Sequence, residues 1–411
     1  LYMLEFIYQH KAEHIQEIGK PIQLESEKHL ALSYNSMYQL YLIDSHEHKS
    51  ETYSSLLSFL NKCQTAIGRR LCKSRLLNPI LCSETLLSRY SHIEQFQSLF
   101  QDSRLYETLI PVLSKILDVQ RYYRRMALGV LHPYELSNLH KSYRYITQLM
   151  DILEKAYPSY YSSYMSMNHT LHAFLETIKD TFHVEEIEKY SMDKMESSIF
   201  QTGNYPEIDK IQGDISNNYR KLKGLCDKLG YYIDSKKKDL IKQSYTDKYG
   251  HALYMTGPRS KILISHLKNL PGKSISFTCD EETHTFPISE LIASLKKRSG
   301  KDVFVLHPWV DKVSYSIVSL EKKMTAINRE TYLKVTKTLY ETYQNDKLFE
   351  QTVKCIGETD LYACMAKISI KEGYSCPIIH CEVQGPSYLD AKDMRHPLVE
   401  KIQVDTPYVP N

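Results

Sequence analysis

Between Glu51 and about Glu154, apolar side chains recur three and four positions apart, as in Leu56, Leu57 and Leu60, then Ile67, Leu71 and Leu76. That period gathers them on one face of successive helices. Prolines divide the run at Asn78-Pro79, Ile110-Pro111 and His132-Pro133, because each disfavours the α conformation in the residue before it. Ser83 is suited to cap the helix that follows it. A second helical run extends from about His169 through Tyr190. After the break Gly203-Asn204-Tyr205-Pro206, a third runs from Glu207 to about Lys228.

The pattern then changes. Gly230-Tyr231-Tyr232-Ile233 is aromatic and β-branched and reads as a strand, with Lys236-Lys237-Lys238 following as an exposed turn. Short β-rich pieces continue at His251 to Thr256, Ser274 to Cys279, Val303 to Leu306 and Val313 to Val318. Helical stretches at Pro258 to Asn269 and Pro287 to Arg298 lie among them. The helical period resumes at Leu320 and holds to about Ile356. About 37 residues at about 1.5 Å each reach about 55 Å, more than a compact domain needs. A helix leaves a body, a small α/β module follows, and a longer helix returns. Cys376-Pro377-Ile378-Ile379 and Ser387 to Glu400 read as the start of a further unit.

Composition narrows the class. Hydrophobic residues are 42% of the 411 and charged residues 25%, which fits a globular chain and excludes wholesale disorder. No apolar run approaches the roughly 20 residues that span a bilayer, so no membrane partner is expected. The chain opens on Leu1 rather than Met and closes on Tyr408-Val409-Pro410-Asn411, which reads as a fragment; nothing near Leu1 has the pattern of a secretory signal, but truncation would remove one, so targeting is not read from this sequence. Nine cysteines without C-x-x-C spacing read as reduced structural thiols of a reducing compartment. Cys376, His380 and Cys381, or His46-Glu47-His48, are minor candidates for a metal; ordinary thiols and a polar loop are the better readings, and no metal site is assigned.

Net charge is only +3. From Lys228 to Lys312, however, 15 basic residues face 9 acidic ones, an excess of six, which leaves the remainder at about −3. Lys236, Lys237, Lys238, Arg259, Lys261, Lys296, Lys297, Arg298 and Lys301 are candidates for contact with nucleic-acid phosphates, a binding that is salt-sensitive and blind to sequence. For an isolated lysine run a solvated face is the more common role. Catalytic motifs are absent: there is no G-x-x-x-x-G-K-[ST], and Gly257-Pro258-Arg259-Ser260-Lys261 lacks its spacing; Gly-x-Ser-x-Gly and His-Glu-x-x-His are missing too. No catalytic residue is assigned.

Ser55 to Pro79 resembles the core signature of the MutS family of DNA mismatch-repair proteins, Thr-x-x-Gly-x-Arg-Leu followed by a helix ending at Pro, with Thr65, Gly68, Arg70, Leu71 and Pro79 in those places. Leu30 to Ile43 resembles the strand-like stretch that opens that core. Asp118-Val119-Gln120-Arg121, Arg125 and Pro133-Tyr134-Glu135-Leu136 resemble a further family helix, with Gln120 departing from Glu. Gly203-Asn204-Tyr205-Pro206-Glu207-Ile208-Asp209 resembles the entry into the family's lever, and Gly230 to Ile233 its first clamp strand. Arg395-His396-Pro397-Leu398-Val399-Glu400 and Tyr408-Val409-Pro410-Asn411 resemble the approach to its nucleotide-binding domain. Divergence in the tip is similar to that expected of branches in large DNA viruses or organelles.

The resemblance implies a mainly α fold: a helical core with long paired lever helices carrying a small α/β clamp insertion. Residues 1–228 would be core and outgoing lever, 229–319 the clamp, 320–386 the returning lever and 387–411 the start of an ATPase domain. It further implies that lever and clamp embrace double-stranded DNA and couple it to a downstream ATPase. Tyr408 would stack on adenine with Val409 beside it. ATP and Mg²⁺ would serve the parent protein and not this segment, which lacks the P-loop. A second MutS-family subunit would pair through the missing domain. The compartment would be nucleus, cytoplasm, viral factory or mitochondrion. A junction-binding homologue, or a helical protein-interaction scaffold without DNA binding, are the competing readings.

Overall fold

A computed structural model describes residues 2–12, 29–44, 53–102, 104–246, 250–280, 282–297, 302–380, 388–402 and 409. The fold is mainly α-helical with a small α/β insertion. It divides into two compact units, one of residues 1–115, 155–157 and 353–411, the other of 116–154 and 158–352.

In the first unit the Ala66–Leu77 helix packs on the later part of the Leu348–Glu372 helix through two glycines. Thr65 caps the first helix, its Oγ1 accepting the Gly68 N–H at 2.8 Å. Asp360 lies over the same helix start. One carboxylate oxygen accepts Gln64 N–H at 3.0 Å and the other accepts both Thr65 N–H and Thr65 Oγ1–H at 2.7 Å. A Cβ on Gly68 would stand 2.3 Å from that second oxygen. Gly357 performs the reciprocal service, since a Cβ there would crowd Ile67 and Leu71 at 3.2 Å. The Thr-x-x-Gly signature is therefore a helix start shaped to receive a buried carboxylate.

Three expectations for this unit change. The Leu105–Leu113 helix runs through Pro111 instead of breaking. Burial of Leu105, Leu109 and Leu113, at about 1.5–3 kcal/mol each, outweighs an interior proline's cost of about 3 kcal/mol. Ser83 is the first residue of its helix and not the cap, because Leu86 N–H bonds the Cys82 carbonyl. The stretch expected to be strand-like holds the Tyr34–Gln39 helix, capped by Ser33.

In the second unit, Leu136, Leu139, Tyr143, Ile146, Leu149 and Leu153 form the buried stripe of the Pro133–Ala156 helix. Tyr143 packs on Phe174, which meets Tyr343 and Phe349. Buried Glu135 ties this helix to the preceding one: its Oε2 accepts from Arg125 Nε at 2.8 Å and from His132 N–H at 2.9 Å.

The outgoing helix, Pro206–Tyr231, has a start that accounts for its motif. Gly203 takes a φ of 97°, Pro206 fills the first helical turn, and Asp209 Oδ2 accepts the Gly203 N–H at 2.9 Å. The returning helix, Pro308–Asn345, packs antiparallel to it, with Asn218 Nδ2 donating to Ser316 Oγ and Lys323 facing Glu207. Between them lie β1 (Lys242–Thr246), β2 (Gly250–Thr256), β3 (Ser274–Cys279), β4 (Glu282–Pro287), β5 (Leu295–Lys297) and β6 (Asp302–Val305). An antiparallel sheet runs β1-β2-β6-β5, and β3-β4 is a separate hairpin. Leu222, Leu225 and Leu229 of one long helix and Val310, Val313 and Ile317 of the other join Leu253, Leu263 and Val305 in a single core. The tip is thus built on the helix ends.

That shared core explains where propensity misled. Gly230 to Ile233 is not a strand; the helix continues to Tyr231 because Leu225 and Leu229 bury at helical spacing. Val313 to Val318 is likewise helical, burying Val313, Ser314 and Ile317, so the returning helix begins at Pro308. It also ends sooner: the run is interrupted after Asn345, with Lys347 in the left-handed region at φ 56°, and a new helix starts at Leu348. Asn345 and Asp346 are weak helix formers and permit the break. The Pro287 to Arg298 stretch is helical only over Ile288–Ser294, then becomes β5.

Candidate nucleic-acid interface

Lys236, Lys237 and Lys238 occupy the turn between the outgoing helix and β1, all three exposed. Buried Ile233 on one side and Leu240 and Ile241 on the other fasten the turn to the tip core. Asp234 shapes it: its Oδ1 accepts Lys236 N–H at 3.0 Å, and its Oδ2 lies 3.6 Å from Lys237 Nζ. Lys236 and Lys238 have no carboxylate within ion-pair distance among the described residues.

The Gly257–Lys268 helix lies along this turn, held at two points. Arg259, half-buried, donates from Nη1 to the Leu240 carbonyl at 3.0 Å, and His266 Nδ1–H donates to the Tyr232 carbonyl at 2.5 Å. Lys261 is exposed on the same helix. The lysine turn, Arg259 and Lys261 are therefore brought together. Lys296 and Lys297 sit apart from them on β5, an edge strand, opposite Phe304 and Val303 of β6. Consecutive strand residues point to opposite faces, and lysine on an edge also guards against pairing with another chain. Arg298, Lys301 and Tyr408 lie outside the described residues, as do His46-Glu47-His48 and Cys381; Val409 is exposed.

The structure adds cations that the linear pattern did not single out. Arg220 and Lys223 of the outgoing helix and Lys242 of β1 border a cavity of about 470 Å³ that Asp239 and Ile241 of the lysine turn also line. Their signal in the sequence is a basic pair three residues apart on a helix entering a basic module. Arg220 is partly committed, lying 3.1 Å from Asp280. Cys226, at the same cavity, is pushed up to about 12, by burial first and then by Asp227 and Asp239.

Where tip and arm meet, a partly buried polar cluster joins three elements. Tyr219 OH donates to Glu321 Oε1 at 2.8 Å, and His251 Nε2 lies 3.3 Å from that hydroxyl and 3.6 Å from Glu321 Oε2. His251 N–H donates to Ser314 Oγ at 2.8 Å. Burial, followed by Glu321, holds the Tyr219 phenol well above its ordinary range. β2 is thereby tied to both long helices, so the tip is held to the arm.

Two long antiparallel helices that carry a small basic α/β tip define a mainly helical protein of arm-and-tip design. The family described as MutS domain III matches residues 35–366. That is well over half of the chain, which belongs to the MutS family. Over its whole length it is 27% identical to a protein of Acanthamoeba polyphaga mimivirus named as a DNA mismatch repair protein mutS homolog, covering 37% of it. It is 25% identical, over 97% of the chain, to the mitochondrial DNA mismatch repair protein mutS homolog of Sarcophyton glaucum, covering 38%. It is 21% identical over its whole length to the DNA mismatch repair protein MutS of Synechococcus elongatus, covering 41%. The chain spans about two fifths of the length of these relatives. Among the described residues, no helix is long and apolar enough to cross a membrane.

Proposed function

We propose that this chain is the lever and clamp segment of a DNA mismatch-repair protein, and that its tip holds duplex DNA by contacts with phosphates. The observation that carries the reading is the exposed Lys236-Lys237-Lys238 turn, fastened to the end of a two-helix arm in a member of the MutS family. In this proposal Lys261 extends the surface of the turn, Lys296, Lys297 and Arg298 are further phosphate contacts, and Arg259 supports the turn as well as adding charge. The arm couples the grip to an ATPase that uses ATP and Mg²⁺, with Tyr408 and Val409 at the adenine and a second MutS-family subunit as partner.

The test is duplex binding by the full-length protein as salt is raised. Each phosphate contact contributes about −0.9 to the slope of log affinity against log salt. Changing Lys236, Lys237 and Lys238 to Ala should flatten that slope by about 2–3 and weaken all duplex sequences alike. No duplex binding at low salt would leave the helical-scaffold reading in its place.

A further inference from the structure

Cys63, Cys72 and Cys364 pack with Leu361 into one cluster in the unit of residues 1–115, 155–157 and 353–411, at 4%, 5% and 7% exposure. Within it the Cys364 thiol donates to the Leu60 carbonyl at 3.5 Å, three residues before Cys63. A single buried cysteine acts as a small apolar side chain. Three in one buried cluster, brought from positions 63, 72 and 364, place other sulfurs near any sulfur that is oxidised.

Two further features single out Cys63 and Cys364. Cys63 directly precedes Gln64 and Thr65, whose N–H groups the Asp360 carboxylate holds, and Cys364 is one helical turn beyond Asp360. The Asp360 joint thus fixes the segments that carry both sulfurs. Cys364 also lines a cavity of about 280 Å³ with Lys62, Lys367 and Lys371 in its wall, which gives a small polar oxidant a route to that sulfur. Cys72 does not line that cavity.

We propose that Cys63 and Cys364 form a reversible disulfide in response to hydrogen peroxide. The Cys364 sulfur attacks one peroxide oxygen, the O–O bond breaks, and water leaves with the second oxygen, giving a sulfenic acid. The Cys63 sulfur then attacks the Cys364 sulfur, the S–O bond breaks, and the Cys63 proton departs in a second water. Two thiols lose two hydrogens and two electrons, and one peroxide becomes two waters. The bond adds a covalent tie to a joint otherwise held by Asp360. Cys72 stays reduced.

The experiment treats the full-length protein with hydrogen peroxide under native conditions, blocks remaining thiols and maps disulfides by mass spectrometry. A Cys63–Cys364 peptide should form, vanish on treatment with dithiothreitol, and persist in Cys72→Ser. In Cys63→Ser, a dimedone adduct should accumulate on Cys364. Oxidised wild type should unfold at a higher temperature than Cys364→Ala treated alike. A Cys63–Cys72 bond, or oxidation confined to Cys82, Cys279 and Cys376, would overturn the proposal; because the map is made on wild type, it does not depend on any variant folding.

Discussion

Replacing Gly68 with Ala puts the central joint of the first unit to a quantitative test. The new Cβ would stand 2.3 Å from Asp360 Oδ2 and 2.8 Å from its Cγ, so the carboxylate must retreat by about 1 Å to reach ordinary contact. Oδ2 is the oxygen that accepts both Thr65 N–H and Thr65 Oγ1–H. Burial raises the Asp360 pKa, yet both oxygens accept from N–H donors, the pattern of an ionised group. Two hydrogen bonds to a charged acceptor are worth about 1.5–3 kcal/mol each. Alanine recovers about 1 kcal/mol over glycine inside a helix. The expected net loss is about 2–5 kcal/mol.

The two units need not unfold together, so the readout must belong to the first. Cys63, Cys72 and Cys364 are buried there, and their labelling by a thiol reagent across a urea series reports its opening. The control is Asp360→Ala, which removes the carboxylate and leaves only a Cβ at 3.0 Å from the added methyl. In that background the Gly68→Ala change should cost close to nothing. An equal cost in both backgrounds, or a loss below about 0.5 kcal/mol in the first, would refute the steric account.

Other consequences follow from the same geometry. Arg125→Ala should destabilise the second unit by about 1–3 kcal/mol by leaving buried Glu135 with one backbone donor, measured as earlier amide exchange in the Pro133–Ala156 helix. Changing Lys296 and Lys297 to Val should promote self-association, seen by light scattering, while leaving the unfolding midpoint little changed, because β5 is an edge. Burial is the main cause that holds His92 and His140 below the ordinary histidine range. Their contribution to stability is complete above the unfolded value of about 6.5 and is lost as pH falls through the lower folded values. Unfolding midpoints should therefore drop on acidification, and His92→Gln should flatten that profile.

How far the sequence could be read depended on where the partner of each residue lay. The Gly203 to Asp209 entry was legible because its turn, its proline and its carboxylate lie within seven residues and bond to each other. The alternation between long helices and a small module was legible because period is a local property. Gly230 to Ile233 and Val313 to Val318 were misread because their local preference is for strand while their packing partners lie on the other long helix and in the tip, where only a helical spacing buries them. Arg259 shows the same limit at the candidate site: its charge was visible, but its bond to the Leu240 carbonyl was not. The Thr-x-x-Gly signature carries the argument furthest. Thr65 and Gly68 could be recognised as a pattern, yet the reason glycine stands there is Asp360, which sits almost three hundred residues away and belongs to no motif. Any chain that keeps the signature and loses that aspartate should tolerate a side chain at the glycine, so the two positions constitute one structural unit that only the fold makes visible.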